Sequence, residues 1–311
     1  MNASNDSPLF RLGTRGSALA LWQAHTISGM LEGLGIATEI TIIKTTGDRI
    51  DDVPFSKLEG KGFFTKELEE AQLSGQVDFA VHSLKDLSTA MPPGLTLCAM
   101  VGREDPREML LAKPEAVDEA RLQAGETLPL REGARIGTSA ARRQAQIRRL
   151  RPDLVLVDLR GNVPTRVGKL REEPYDAIML ARAGLVRLEV DLSDLFARPL
   201  GTADFVPAPA QGMLGIQCRD EEPWLGSLAR LHCSDPARAV AVERELLLRL
   251  EGGCQIPFGA HVMPTDGGWH LEAFLAADVD DPAPLHLTLD ASDPDTLLAE
   301  AWAAIQAHRS R

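Results

Sequence analysis

Twice along this chain a short apolar run hands over, through a turn of Gly, Ser and Thr, to a segment with helical periodicity. Leu9-Phe-Arg-Leu-Gly13 reads as a buried strand, and Ser17 offers an N-cap to a helix whose apolar positions are Ala20, Leu21, Ala24, Ile27 and Leu31. Arg135-Ile136 reads as a second short strand, running into Gly137-Thr-Ser139 and a helix over Ala140–Leu150. Between and beyond them the same alternation recurs. Strands are predicted at Ala37–Ile43, Val77–Val81, Leu154–Asp158 and Asp176–Ala181, with helices at Thr65–Ser74 and Pro164–Arg171. Strands and helices alternating at this spacing predict βαβ units and a mainly parallel sheet in each half. Beyond Pro223 the pattern changes to a helix over Ala237–Leu250, strands at Trp269–Leu275 and Leu285–Leu289, and a helix from Pro294. The expectation is therefore α/β, with two α/β domains and a smaller α+β C-terminal domain.

Composition narrows the function classes. The 311 residues carry a formal net charge of -12, which disfavours nucleic acid and anionic membrane as partners, so any anionic ligand needs a local concentration of positive charge. No apolar run is long enough to span a bilayer, and Met1–Pro8 lacks the basic-then-apolar build of a signal peptide, so the cytoplasm is the expected compartment. Cys98, Cys218, Cys233 and Cys254 lie far apart without a Cys-x-x-Cys pair, and the seven histidines are scattered; no metal site is expected. Nothing in the periodicity argues for more than a monomer.

In open α/β sheets ligands gather beyond the carboxyl ends of strands. Arg15 and Ser17, Lys85 and Asp86, Thr138 and Ser139, and Arg160 all fall at such exits, which points to a cleft between two domains. Between Gly133 and Pro152 stand six arginines and no acid. Arg148, Arg149 and Arg151 read as a solvated helix face. Arg142 and Arg143, one turn into a helix opened by Gly-Thr-Ser, read as anion receptors, since a guanidinium takes a carboxylate through two parallel hydrogen bonds. Gly161 leaves room for a ligand beside Arg160, and Arg166 lies one turn into the next helix. Asp86 reads either as a cap or partner of Lys85, or as a carboxylate that stabilises a cation or handles a proton. Cys254 sits in Leu250-Glu-Gly-Gly-Cys-Gln255, where two glycines let the backbone present the thiol on a tight turn, while the other three cysteines read as small hydrophobes. Thr45–Gly62 is a long polar stretch, of a length usually functional in a compact domain.

These segments resemble the porphobilinogen deaminase (hydroxymethylbilane synthase) family from Leu12 to the last helix. The markers are Gly13-Thr-Arg-Gly-Ser-Ala-Leu-Ala-Leu-Trp-Gln23, Gly60-Lys-Gly-Phe-Phe-Thr-Lys-Glu67, His82-Ser-Leu-Lys-Asp86, Gly137-Thr-Ser-Ala-Ala-Arg-Arg-Gln144, Leu159-Arg-Gly-Asn-Val-Pro-Thr-Arg166, Pro209-Ala-Gln-Gly212 and the Cys254 turn. The resemblance implies two domains like the halves of a periplasmic binding protein, at 8–103 with 204–222 and at 104–203, and a third at 223–311 that carries the cysteine. It implies a dipyrromethane cofactor joined to Cys254 by a thioether. Onto this primer the enzyme would condense four porphobilinogen molecules, releasing ammonia each time, before hydrolysis frees linear hydroxymethylbilane. Carried over residue by residue, Asp86 would be catalytic, stabilising positive charge near a pyrrole nitrogen. Lys85, Ser17, Arg142, Arg143, Thr138, Ser139, Arg160 and Arg166 would hold the cofactor, and Arg15, Arg187, Phe64 and Gln211 the substrate. The loop Gly47–Gly62 resembles the family's lid. Ala140 departs from the family pattern, standing where many members have serine. The runner-up is a non-catalytic, cleft-type polycarboxylate-binding protein, which has no use for Asp86 or for a thiol on a Gly-Gly turn.

Overall fold

The computed structural model describes residues 9–45, 65–250 and 256–310. They fall into two compact units, the first formed by the chain up to Arg103 together with Met213–Ala237, the second by Glu104–Gly212 together with Arg238 onward.

The first unit is built from β1 (Phe10–Thr14), α1 (Ala18–Glu32), β2 (Thr38–Ile42), α2 (Lys66–Leu73), β3 (Phe79–Ser83) and β4 (Leu95–Val101). After its passage through the second unit the chain adds β10 (Leu214–Arg219) and α7 (Trp224–Ala229), numbered in chain order. The sheet order is β2-β1-β3-β10-β4. β1 runs parallel to β2 and β3, whereas β10 is antiparallel to β3 and β4, so four strands point one way and one is reversed. Alternate residues of β1 and β3 meet the apolar stripe of α1: Phe10, Leu12, Phe79, Ile27 and Leu31 are all buried in one cluster with Ile216 of β10. Each such side chain contributes roughly 1.5–3 kcal/mol through its removal from water. Ser17 caps α1, its hydroxyl accepting from Ala20 N–H at 3.3 Å, as the sequence predicts.

The second unit holds β5 (Glu108–Ala112), α3 (Glu119–Gln123), β6 (Arg135–Gly137), α4 (Ala141–Leu150), β7 (Val155–Val157), α5 (Val163–Glu172), β8 (Ala177–Ala181), α6 (Arg182–Arg187) and β9 (Phe196–Pro199). Its sheet order is β7-β6-β8-β5-β9, with β6 parallel to β7 and β8, and β5 antiparallel to β8 and β9. In both sheets the reversed strand is the first one formed after the chain crosses from one unit to the other. The mainly parallel expectation is met in strand direction but not in pairing: two of the four pairings in each sheet are antiparallel, so both sheets are mixed.

α8 (Ser234–Arg249) leads to a meander of β11 (Phe258–Thr265), β12 (Gly268–Leu275) and β13 (Leu285–Ala291), followed by α9 (Pro294–Arg309). In β13 strict alternation turns Leu285, Leu287 and Leu289 to the core with Leu246 of α8 and Leu297 and Ile305 of α9. The sequence reading expected two strands here; β11 is the third, its pattern broken by Gly259, His261 and Pro264. The fold class is thus α/β with two mixed five-stranded sheets and a smaller α+β portion. Among the described residues no helix is long and apolar enough to cross a membrane.

One charge assignment needs correcting. Arg151 does not belong to a solvated face: it is buried, gripping Asp153 with two hydrogen bonds of 2.8 and 2.6 Å and donating to Leu128 O at 2.7 Å. Its place one residue past α4 turns it inward, which helical spacing alone could not reveal. Arg149 is exposed, and half-buried Arg148 lies 3.5 Å from Asp280.

Candidate functional site

Because β1 and β3 are parallel neighbours, their carboxyl ends open on the same edge of the first sheet. β1 delivers Arg15 and Ser17 there, and β3 delivers Lys85 and Asp86 through a 3-10 turn, Leu84–Asp86. Leu84 is fully buried, and its N–H donates to Met213 O at 2.9 Å. With that residue plugged into the core, the turn leaves Lys85 half-buried and Asp86 exposed. Arg15, Ser17, Gln23, His82, Ser83 and Asp86 line one cavity, with Leu68 and Val81 as its apolar wall. The structure thus unites Arg15, Ser17 and Asp86 within the first unit.

The polar lining is held from behind. Gln23 Nε2 donates to Ser83 Oγ at 2.7 Å. His82 Nε2 lies 3.0 Å from Gln217 Oε1, which also accepts from Gln72 Nε2 at 3.0 Å. An amide oxygen can only accept, so Nε2 of His82 carries the proton. Burial pushes the His82 pKa down to about 4 against its hydrogen bond to Gln217; Asp86 opposes this electrostatically and Arg15 adds to it. His82 is a neutral ring at neutral pH, and it leaves the charges of this edge to Arg15, Lys85 and Asp86. Sequence reading named His82 and Gln23 inside motifs and assigned them no role; the available signals were a polar residue within an otherwise apolar strand for His82 and one on the buried face of α1 for Gln23.

In the second unit the exits of β6, β7 and β8 share an edge for the same topological reason. Thr138 is buried, its N–H donating to Val157 O at 2.9 Å and its carbonyl accepting from Gln144 Nε2 at 2.9 Å. Ser139 Oγ donates to Leu159 O and accepts from Leu159 N–H, both at 3.0 Å, fastening the β6 exit beside Arg160. Arg166 Nε donates to Gly161 O at 2.7 Å. Gly161 has φ +107°, a backbone that favours glycine, but the space beside it is taken: a Cβ there would lie 2.7 Å from Thr165 Cγ2. The expected room for a ligand at Gly161 is filled by the first turn of α5.

Arg142 and Arg143 meet a partner the sequence reading missed. Glu108 of β5 is fully buried; its two oxygens accept from Arg142 Nη2 at 2.7 Å and Arg143 Nη2 at 2.6 Å. Arg143 is itself buried and donates also to Met179 O at 3.0 Å. Gln211 joins the group, accepting from Arg142 Nη2 at 3.3 Å and donating to Pro106 O at 2.8 Å. Arg187 donates to Gly212 O at 2.5 Å, and burial lowers its pKa against the pull of Glu104. Ala140 is the N-cap residue of α4 and supplies no side-chain acceptor.

Two guanidinium groups against one carboxylate leave net positive charge at the start of α4, and Arg160 and Arg166 add to it from the neighbouring exit. Such a donor set fits a ligand bearing several carboxylates. Cys254, Phe64 and the loop Gly47–Gly62 lie outside the described residues. No group of three or more His, Cys, Asp or Glu among the described residues is placed to hold a metal ion.

Fold and site together define an α/β protein with an exposed carboxylate at the edge of one sheet and a cluster of arginines at the edge of the other. Residues 10–226 match the family model described as porphobilinogen deaminase, dipyromethane cofactor binding domain, and residues 237–278 match that of the porphobilinogen deaminase C-terminal domain. A curated relative named porphobilinogen deaminase, from Trichlorobacter lovleyi, is 47% identical over 86% of this chain and 83% of its own length. Another of the same name, from Syntrophotalea carbinolica, is 46% identical over 88% of each. Among solved structures, the methionine binding protein MetQ is similar with a TM-score of 0.44 at 11% identity, over 77% of this chain and 96% of its own. The chain belongs to the porphobilinogen deaminase family, whose members are transferases and whose cofactor-binding domain it carries.

Proposed function

We propose that this chain is a hydroxymethylbilane synthase, condensing four porphobilinogen molecules with loss of ammonia and releasing the linear tetrapyrrole by hydrolysis. The observation that carries this reading is the exposed carboxylate of Asp86 on the rim of a cavity walled by Arg15, Ser17 and the neutral His82. A polycarboxylate-binding protein gains nothing from a carboxylate there. An enzyme that must steady a cation as ammonia leaves does, since preorganised charge at the reacting centre stabilises the transition state.

When bound, a dipyrromethane on Cys254 supplies the pyrrole primer to which new units are joined. Arg142, Arg143, Arg160 and Arg166 would hold its carboxylates, with Thr138 and Ser139 fixing the exits from which those arginines reach. Lys85 and Ser17 would complete that set. Arg15, Arg187 and Gln211 would orient the carboxylates of incoming porphobilinogen, and Phe64 would lie near the cofactor. Asp86 would stabilise positive charge at the pyrrole nitrogen and move its proton. We further propose three domains, 8–103 with 204–222, 104–203 and 223–311; in support, each of the three sheets falls within one of these ranges. The protein would act as a monomer in the cytoplasm.

Denaturing intact-mass measurement tests the reading. Purified protein is expected to exceed its sequence mass by two pyrrole units, and Cys254→Ser to lack the increment. Asp86→Asn is expected to keep the increment and lose at least about 100-fold in turnover of porphobilinogen. Wild-type protein at bare sequence mass and inactive on porphobilinogen would sink the proposal.

A further inference from the structure

We infer that Glu243 of α8 is a positioning residue, which holds the 208–212 segment in the strained conformation that sets Arg142 and Arg187. This rests on the function proposed above. Glu243 is fully buried. It stands on the buried side of α8 among Ala239, Val240, Val242 and Leu246, with Arg244 buried beside it. A buried carboxylate persists only where hydrogen bonds replace the water it has lost. Glu243 Oε2 accepts from Ala210 N–H at 2.7 Å, and Oε1 accepts from Val262 N–H of β11, also at 2.7 Å.

Ala210 is the informative partner. Its φ is +61°, in the left-handed region that residues with a Cβ disfavour by roughly tenfold. The charge-assisted bond from its N–H to Glu243 offsets that strain. The next two residues carry the consequence. Gln211 holds Arg142 through its side chain, and Gly212 holds Arg187 through its carbonyl. Gly212 is confined as well: its φ is +88°, and a Cβ there would collide with Glu104 O. The path from Glu243 to both guanidinium groups thus runs through a few covalently consecutive residues. α8, from which Glu243 projects, also leads the chain toward Cys254. One carboxylate therefore ties α8 and β11 to the segment that aims two arginines.

Glu243→Gln keeps the shape but sets an amide N–H₂ against one of the two main-chain donors. The expected result is a smaller fraction of purified protein bearing the two-pyrrole increment, and a KM for porphobilinogen raised about tenfold. The kcat of the loaded fraction is expected to stay within about threefold, because Asp86 is untouched. Adding Ala210→Gly supplies a residue that takes positive φ without strain, so the double variant is expected to recover both loading and KM. A merely structural role for Glu243 would not be rescued in this way. Wild-type loading and KM in Glu243→Gln, or no recovery in the double variant, would overturn the inference. If the single variant fails to accumulate, a double variant that folds with near-wild-type KM supports it, and one that also fails to fold overturns it. An unloaded, inactive wild-type protein would instead sink the functional reading itself.

Discussion

The two five-stranded sheets repeat one strand order, and their exits solve the problem of buried polarity in opposite ways. Behind the first edge stand uncharged groups: a neutral imidazole, three glutamines and a serine hydroxyl back the cavity, and Arg15, Lys85 and exposed Asp86 stand at its edge. At the second edge the charges themselves are buried, with Glu108 held between Arg142 and Arg143. On the function proposed above, the difference matches the tasks. A carboxylate that must handle a proton works best where neighbouring groups do not titrate alongside it. Arginines that receive several carboxylates must be fixed before the ligand arrives, and a buried counter-ion fixes them.

Three perturbations test this contrast. The largest is expected from Glu108→Leu, which strands two guanidinium groups in a poorly solvated site. Removing one member of a buried ion pair costs about 3–5 kcal/mol, read as a lowered midpoint in urea unfolding. A loss below about 1 kcal/mol would show that the arginines do not depend on this carboxylate. The second is a pH effect in the other unit. The folded-state pKa of His82 is about 4, against 6.5 for an unperturbed histidine, so between these values the unfolded chain takes up a proton that the folded protein refuses. Stability is therefore expected to fall by about 3 kcal/mol as pH drops from 6.5 to 4, and the His82 contribution to flatten below that. His82→Asn should remove this component of the slope; an unchanged slope would mean the ring is protonated in place. The smallest effect is expected from Ala140→Ser, which gives α4 the hydroxyl acceptor its N-cap lacks. A gain of about 0.5–1 kcal/mol in thermal unfolding is expected, and no gain would show that the exit turn is already satisfied.

Much of this was legible in the linear sequence, and the exceptions share a cause. The Ser17 cap, the helix over 141–150 and the alternation of β13 are local signals, encoded within a few residues of where they act. The place of Asp86 beside the cavity was legible for the same reason, as the sole acid in the His82–Asp86 strand exit. What escaped reading were partners distant along the chain. Glu108 lies in a strand of five buried residues, and nothing near it announces Arg142 or Arg143. Glu243 could be suspected only as a charge among the apolar positions of a helix, and its partners, Ala210 and Val262, come from two other segments. Gly161 misled in the opposite sense: the space that its missing side chain was expected to leave for a ligand is taken by Thr165.

The place of β10 in the first sheet has a consequence for biosynthesis. It lies between β3 and β4, yet it is made only after the second unit's β5 to β9 have been translated. While the ribosome works through those residues, β4 waits without the strand that joins it to β3, exposing a ladder edge on each side of the gap. Pairings of such long sequence separation close slowly, and open edges recruit other chains in the meantime. Nascent chains truncated before residue 214 should therefore be markedly more prone to aggregate than chains released just after Arg219.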